Sequence, residues 1–449
     1  MLLLKFILLG APLFILFVLA KKSGTWLEIL PSLFWYFFIS LPYIFLVNFL
    51  DGYSLNVQFI GIVMISLFLF VADYIGIRTY DRNRVAIIDA REGFVTSNAA
   101  RRLLALAILL FSVLLPLLQV LATHTFPLGQ LFFFDSKGFD LADARQRFTK
   151  GADFPIFFEV LLAWYIPLFA SLGIYLLRKL HFKYLSYGFI IFLSFYSFIG
   201  LEKVPFVFLI LTLLIALSNS NNVSVKIRKI FTLGVACLLL ILTFVGQIYL
   251  SQVKRDVNFI NSSEYTSSKL LGHLTPSDTY RLEVRPSTNI PAPILGLTYR
   301  TVLTPVDVSF RFYQYFTFES ERRRDWLEII TLREDPKGTN IVGNWAFTER
   351  FPSKYTQYID AYTSIDADSF SIFGIWGVLI AGLLLCTLRY SFTILRFKSQ
   401  FGMFAYGICI SYLSFMPFQS GLASMLLSKG LLALLFLTWA VSRTSSRRQ

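Results

Sequence analysis

Leu103-Leu104-Ala105-Leu106-Ala107-Ile108-Leu109-Leu110-Phe111-Ser112-Val113-Leu114-Leu115-Pro116-Leu117-Leu118-Gln119-Val120-Leu121-Ala122 runs for twenty residues without a charge, directly after Arg101 and Arg102. At about 1.5 Å per residue such a run crosses the roughly 30 Å of a bilayer's hydrocarbon. Similar runs recur on both sides of it. They place helices at about 3–20, 29–49, 56–76, 103–122, 154–177, 185–200, 204–218, 230–250, 370–389, 402–418 and 423–441. The expectation is an all-α integral membrane protein of about eleven spans. Composition agrees: 56% of the residues are hydrophobic and 15% charged, against about a quarter charged in a soluble domain.

The distribution of Lys and Arg sets the orientation. With the N-terminus outside, the short cytoplasmic segments carry 20 basic residues and the short outer segments 5. The C-terminus then lies inside, and the net charge of +14 reflects this asymmetry and not a nucleic-acid surface. The first run, Leu2 to Ala20, is followed by Lys21 and Lys22 and lacks a small-residue cleavage site, so it reads as a retained helix. Three parts follow. Residues 1–250 form an N-terminal bundle of eight helices with an outer segment at 123–153. Residues 251–368 form one large outer loop. Residues 369–449 form the last three helices and the tail.

The large loop is nearly neutral and rich in aromatic residues, among them Trp326, Trp345, Tyr299, Tyr313 and Tyr315, enough for a small core. Thr301 to Phe318 reads as an amphipathic helix lying at the membrane surface, and Arg322 to Asp325 as the start of a polar helix running to Arg333. Internal repeats, the usual mark of secondary transporters, are absent. Phosphate-binding glycine loops, nucleophile elbows and metal-ligand spacings are absent as well, and His124, His181, His273 and the three cysteines are scattered. No metal and no cofactor is expected.

Chemistry is most visible on the outer side. Arg145, Arg147, Arg285, Arg300 and Arg311 stand beside aromatic or apolar residues. A guanidinium is planar, permanently charged and matched to phosphate oxygens, so a lipid-linked diphosphate would suit them. Glu159, Glu202, Lys203 and Lys429 are ionisable residues near the outer ends of apolar runs, where a charge is expensive and functional by default. Asp73 lies near the inner end of its run and reads as an interfacial residue. Asp366 and Asp368, ahead of Gly374 and Gly377, read as the capped, tightly packed start of a span.

Four of these features together resemble the Wzy-type O-antigen (oligosaccharide repeat-unit) polymerases. They are the many spans with one dominant late outer loop, the tight turn Gly200-Leu201-Glu202-Lys203-Val204-Pro205, the stretch from Tyr299-Arg300-Thr301 to Arg311-Phe312-Tyr313, and the exit Asp366-Ala367-Asp368-Ser369-Phe370 followed by Phe373-Gly374-Ile375-Trp376-Gly377-Val378. The topological likeness covers nearly the whole chain and the residue likeness about a tenth of it.

The resemblance implies a fold like the C-type glycosyltransferases in a bacterial inner membrane, with the N-terminus periplasmic and the C-terminus cytoplasmic. It implies a metal-independent transfer of a glycan from undecaprenyl diphosphate to an incoming lipid-linked repeat unit, and a separate chain-length regulator as partner. On that reading Arg300 and Arg311 stabilise the departing diphosphate. Arg285, Arg145, Arg147 and Lys203 bind it, and Tyr299 and Tyr313 contact glycan. Glu159, Asp307 and Asp368 are candidate bases for the attacking hydroxyl. The alternatives are an O-antigen ligase, whose mark would be a functional histidine in the large loop, and a transporter of lipid-linked oligosaccharides.

Overall fold

The computed structural model describes residues 2–46, 53–83, 98–127, 171–199, 304–318, 363–398, 400–414 and 430–446, with 147–148, 161, 169, 323–324, 342, 416–417 and 426 between them. All regular structure among the described residues is helical. Five helical stretches are long and apolar enough to cross a membrane: Lys5–Ser23, Trp26–Ile44, Tyr53–Asp81, Arg101–Thr123 and Ile375–Leu395. The protein is therefore a multi-pass membrane protein, and its described regular structure is helical. The spans expected between 204 and 250 lie outside the described residues.

The chain divides into two compact units. The first comprises Met1–Arg84, Ile260–Thr393 and Tyr412–Met425. It opens with α1 (Leu2–Ser23). The second span is a composite: a 3-10 turn (Trp26–Ile29), α2 (Leu30–Trp35), a π-helical turn (Tyr36–Ser40) and α3 (Leu41–Leu46). Pro31 and Pro42 each withhold a backbone N–H, which breaks the regular ladder the apolar composition alone predicts. Trp35 closes this span onto α4 (Tyr53–Asn83) by donating its indole N–H to Ser66 Oγ at 3.1 Å. Leu16, Ala20, Ile29 and Ile77 form a tight apolar cluster where α1, the composite span and α4 meet.

At 31 residues, α4 is about 46 Å long. Two later elements pack on it. One is α8 (Thr304–Phe318) and the other α9 (Ile365–Phe373), which also pack on each other. The expected surface amphipath is thus a buried helix. Val306, Phe310, Phe312, Tyr313 and Phe316 are buried, and so are the polar Ser309, Arg311 and Gln314. Close approach is possible because Gly61 of α4 offers no side chain where the Tyr313 hydroxyl lies. Gln58 of α4 is wholly buried and donates to Val306 O and Ser309 Oγ, both at 3.3 Å. The helix start expected at Asp366–Val378 is two helices. Gly374, at φ 62°, ends α9, and α10 (Ile375–Leu395) begins beyond it. Only glycine takes that conformation without strain. Arg323 and Arg324, expected in a helix, are irregular.

The second unit comprises Val85–Phe259, Ile394–Ser411 and Leu426–Gln449. Its described helices are α5 (Asn98–Thr123), α6 (Ser171–Lys179) and α7 (Lys183–Ile199), with most of α11 (Gln400–Ser414) and all of α12 (Leu431–Ser446). Gln119 of α5 is its polar hub, donating to Phe148 O at 2.8 Å and accepting from the Tyr196 hydroxyl at 2.5 Å. Arg396 lies over the Tyr406 ring at 4.4 Å and is buried.

Asp73 is not interfacial. It is fully buried in the first unit and faces Arg389 of α10, Nε to Oδ1 at 3.7 Å, while its Oδ2 accepts from Ser32 Oγ at 2.6 Å. Arg389 Nη2 also pairs with Glu28 Oε2 at 2.7 Å. Removing one member of such a cluster strands a charge at a cost of about 3–5 kcal/mol, whereas replacing all members with neutral groups is close to neutral. Arg389→Met is therefore expected to lower the denaturation midpoint of the purified protein by that order of energy. The triple change Glu28→Gln, Asp73→Asn and Arg389→Met is expected to recover most of the loss. Equal midpoints for the single variant and wild type would refute the pairing.

Candidate functional site

A second group of buried polar side chains in the first unit lies where α8 meets α9, just ahead of the apolar stretch Ile375–Leu395. Thr304 and Pro305 start α8, with proline in the first turn, where its missing N–H is harmless. The aromatic run that follows gives α8 the bulk to fill the space beside α4. Ser364 precedes α9 in extended conformation and makes no side-chain cap bond. Its hydroxyl instead bonds Asp366. The Ser371 hydroxyl donates back to Asp368 O at 2.6 Å.

Asp366 is fully buried. Its Oδ2 accepts from the Tyr313 hydroxyl at 3.2 Å, and the Tyr313 ring lies 4.5 Å from that of Phe370. Both residues lie outside the five apolar spans. Burial pushes the Asp366 carboxyl up to about 6, against the opposing pull of its bonds to Ser364, the backbone and Tyr313. Burial, and then the neighbouring carboxylate, raise the Tyr313 phenol well above its ordinary value. Asp368, two residues on, has a different environment: the Arg324 guanidinium pairs with it. Arg311 is buried on α8, donates from Nη1 to Gln314 Oε1 at 3.2 Å and lies 5.7 Å from the centre of the Phe310 ring.

The arrangement can hold a proton and place positive charge in dry surroundings. Asp366 is pushed by burial up to about 6 and has a phenol as its neighbour, the pattern of a proton-handling pair. Arg311 is a permanent cation in a setting of low dielectric, where its field is strong.

Of the residues the sequence singles out, Arg311 and Tyr313 stand on α8 and Asp368 on α9. Asp307 is also on α8. Arg147 is exposed and belongs to the second unit. Arg300, Glu159, Arg145, Lys203, Arg285 and Tyr299 lie outside the described residues. In the sequence Asp366 reads as a helix cap, and Gln58 and Arg324 carry no signal of a role: Ser54 and Asn56 stand beside Gln58 in the start of α4, so its polarity does not set it apart. Among the described residues no cluster of three or more metal-ligating side chains occurs.

Because the folded-state value of Asp366 is raised, its contribution to stability is fully present below the ordinary carboxylate range and is lost as pH rises through about 6. Asp366→Asn mimics the protonated form. Wild type is expected to lose on the order of 2–3 kcal/mol relative to Asp366→Asn between pH 4 and 7, read from denaturation of the purified protein. A pH-independent difference would count against a titrating Asp366. Compared with known proteins, the chain matches no family model, no curated protein and no solved structure.

Proposed function

We propose that this protein polymerises oligosaccharide repeat units carried on undecaprenyl diphosphate, at the outer face of a bacterial inner membrane. The reading includes about eleven spans in a fold like that of the C-type glycosyltransferases, with the N-terminus periplasmic and the C-terminus cytoplasmic. The observation that carries it is that α8 bears a buried arginine, Arg311, and that Tyr313 of the same helix donates to the buried carboxyl of Asp366 on α9. The likeness of Tyr299–Tyr313 and Asp366–Val378 to the Wzy-type polymerases supports it from sequence.

In the proposed reaction a hydroxyl of the incoming lipid-linked unit attacks the anomeric carbon of the growing glycan. The bond from that carbon to the diphosphate oxygen breaks, and the lipid diphosphate departs with the electron pair. Arg311 offsets the charge that develops on it, as fixed cations do in other phosphate-releasing sites. Asp366, raised to about 6, is a candidate to take the hydroxyl proton, with Tyr313 orienting it, and Asp368 remains a candidate beside it. Glu159, Asp307, Arg300, Arg285, Arg145, Arg147, Lys203 and Tyr299 remain part of the proposal on sequence grounds. A chain-length regulator is its expected partner.

The test is an electrophoretic profile of surface lipopolysaccharide from a deletion strain complemented with variants. Deletion is expected to leave lipid cores bearing a single repeat unit. Arg311→Ala is expected to reproduce that loss, with polymer reduced at least tenfold, and Arg311→Lys to restore little of it, because an ammonium cannot grip two phosphate oxygens in parallel. Bare cores with long polymer retained on the carrier would make the protein a ligase instead.

A further inference from the structure

Arg323 and Arg324 are neighbours with opposite situations. Arg324 is committed: its guanidinium pairs with Asp368 and its backbone N–H donates to Ser371 O at 3.1 Å. Arg323 is exposed and makes no ion pair among the described residues. It is nevertheless held in place. Its guanidinium lies 5.6 Å from the centre of the Phe370 ring and rests against Gly374, where a β-carbon would overlap Nη1.

That resting place is the break between α9 and α10. Phe373 and Trp376 flank Gly374 in sequence, and both are exposed, Trp376 to 69%. Ile380 and Leu383 continue the exposed apolar surface down α10. Exposed aromatic rings at the end of an apolar span are the usual mark of the headgroup level of a bilayer. The 21 residues of α10 extend about 32 Å, the thickness of the hydrocarbon, so its first residue stands at the boundary. A cation is thus fixed at the level of lipid phosphates, beside rings that suit the same level, with an apolar wall for acyl chains beneath it.

We propose that Arg323, seated on Phe370 and Gly374, binds the phosphate of a bilayer phospholipid at the start of α10. The proposal stands apart from the glycan reaction. A phosphodiester is favoured over a diphosphate because the adjacent described cation, Arg324, is already neutralised by Asp368. One guanidinium without an ion pair among the described residues matches one negative charge, and its planar fork takes two oxygens of one phosphate. Its seat is pre-set by the ring and the glycine, so little side-chain freedom is lost on binding.

The experiment measures thermal stability of the full-length protein in neutral detergent, with phosphatidylglycerol, with diacylglycerol of the same chains, or with undecaprenyl diphosphate. Phosphatidylglycerol is expected to raise the wild-type midpoint and diacylglycerol not to. Arg323→Ala is expected to keep the lipid-free midpoint, because the residue is exposed, and to lose at least half of the rise; Arg323→Lys is expected to keep part of it. An undiminished rise in Arg323→Ala overturns the proposal, as does an equal rise with diacylglycerol. If only undecaprenyl diphosphate stabilises through Arg323, the phospholipid assignment is wrong and the residue belongs to the carrier lipid.

Discussion

The fit of α8 against α4 is the constraint on which the first unit depends. A helix carrying Ser309, Arg311, Tyr313 and Gln314 is enclosed by apolar neighbours, so each polar group needs a partner inside the protein. Gln58 answers Val306 and Ser309, Gln314 answers Arg311, and Asp366 answers Tyr313. The approach that permits these bonds exists because position 61 is glycine. A larger residue there would push the Tyr313 hydroxyl away from α4 and disturb its bond to Asp366. The site is therefore a by-product of packing: one missing side chain on a membrane helix sets where a carboxyl and a phenol meet.

Two carboxylates two residues apart, on different faces of one helix, acquire different characters from this packing. Asp366 faces inward to Tyr313 and Ser364 and becomes hard to ionise. Asp368 meets Arg324 and is neutralised by it. The separation of roles follows from which neighbours each meets, since the residue types are identical. Gly374 then ends the helix that carries both, so the polar element and the apolar span α10 are distinct pieces with a single residue between them.

The spans were legible because twenty uncharged residues have few other uses: α1, α4 and α5 fall where the apolar runs place them, and α10 covers most of its run but begins five residues later. The burial of α8 was not legible. Its sequence, with a polar residue every few positions, reads as a surface amphipath, and what buries it is Gln58 and Gly61, some 250 residues earlier. Arg311, Tyr313 and Asp368 could be picked out by chemistry alone. The pairing of Tyr313 with Asp366 could not, since a carboxylate at a helix start is explained equally well as a cap. The same holds for Asp73, whose position near a span's end suggested water until Arg389 supplied a reason for burial. Composition tells which residues are expensive in lipid, and only the three-dimensional contacts tell what compensates them.

The bond between Glu28 and Arg389 joins positions 361 residues apart. A ribosome adding about 5–20 residues per second needs roughly 20–70 seconds to travel from one to the other. For most of that interval the first three spans are already made, while Glu28 and Asp73 lack the guanidinium with which they will pair. The amino-terminal spans therefore cannot complete their buried pairing until a helix near the other end of the chain has been made, and a nascent chain that stops short of α10 leaves both acids without that cation.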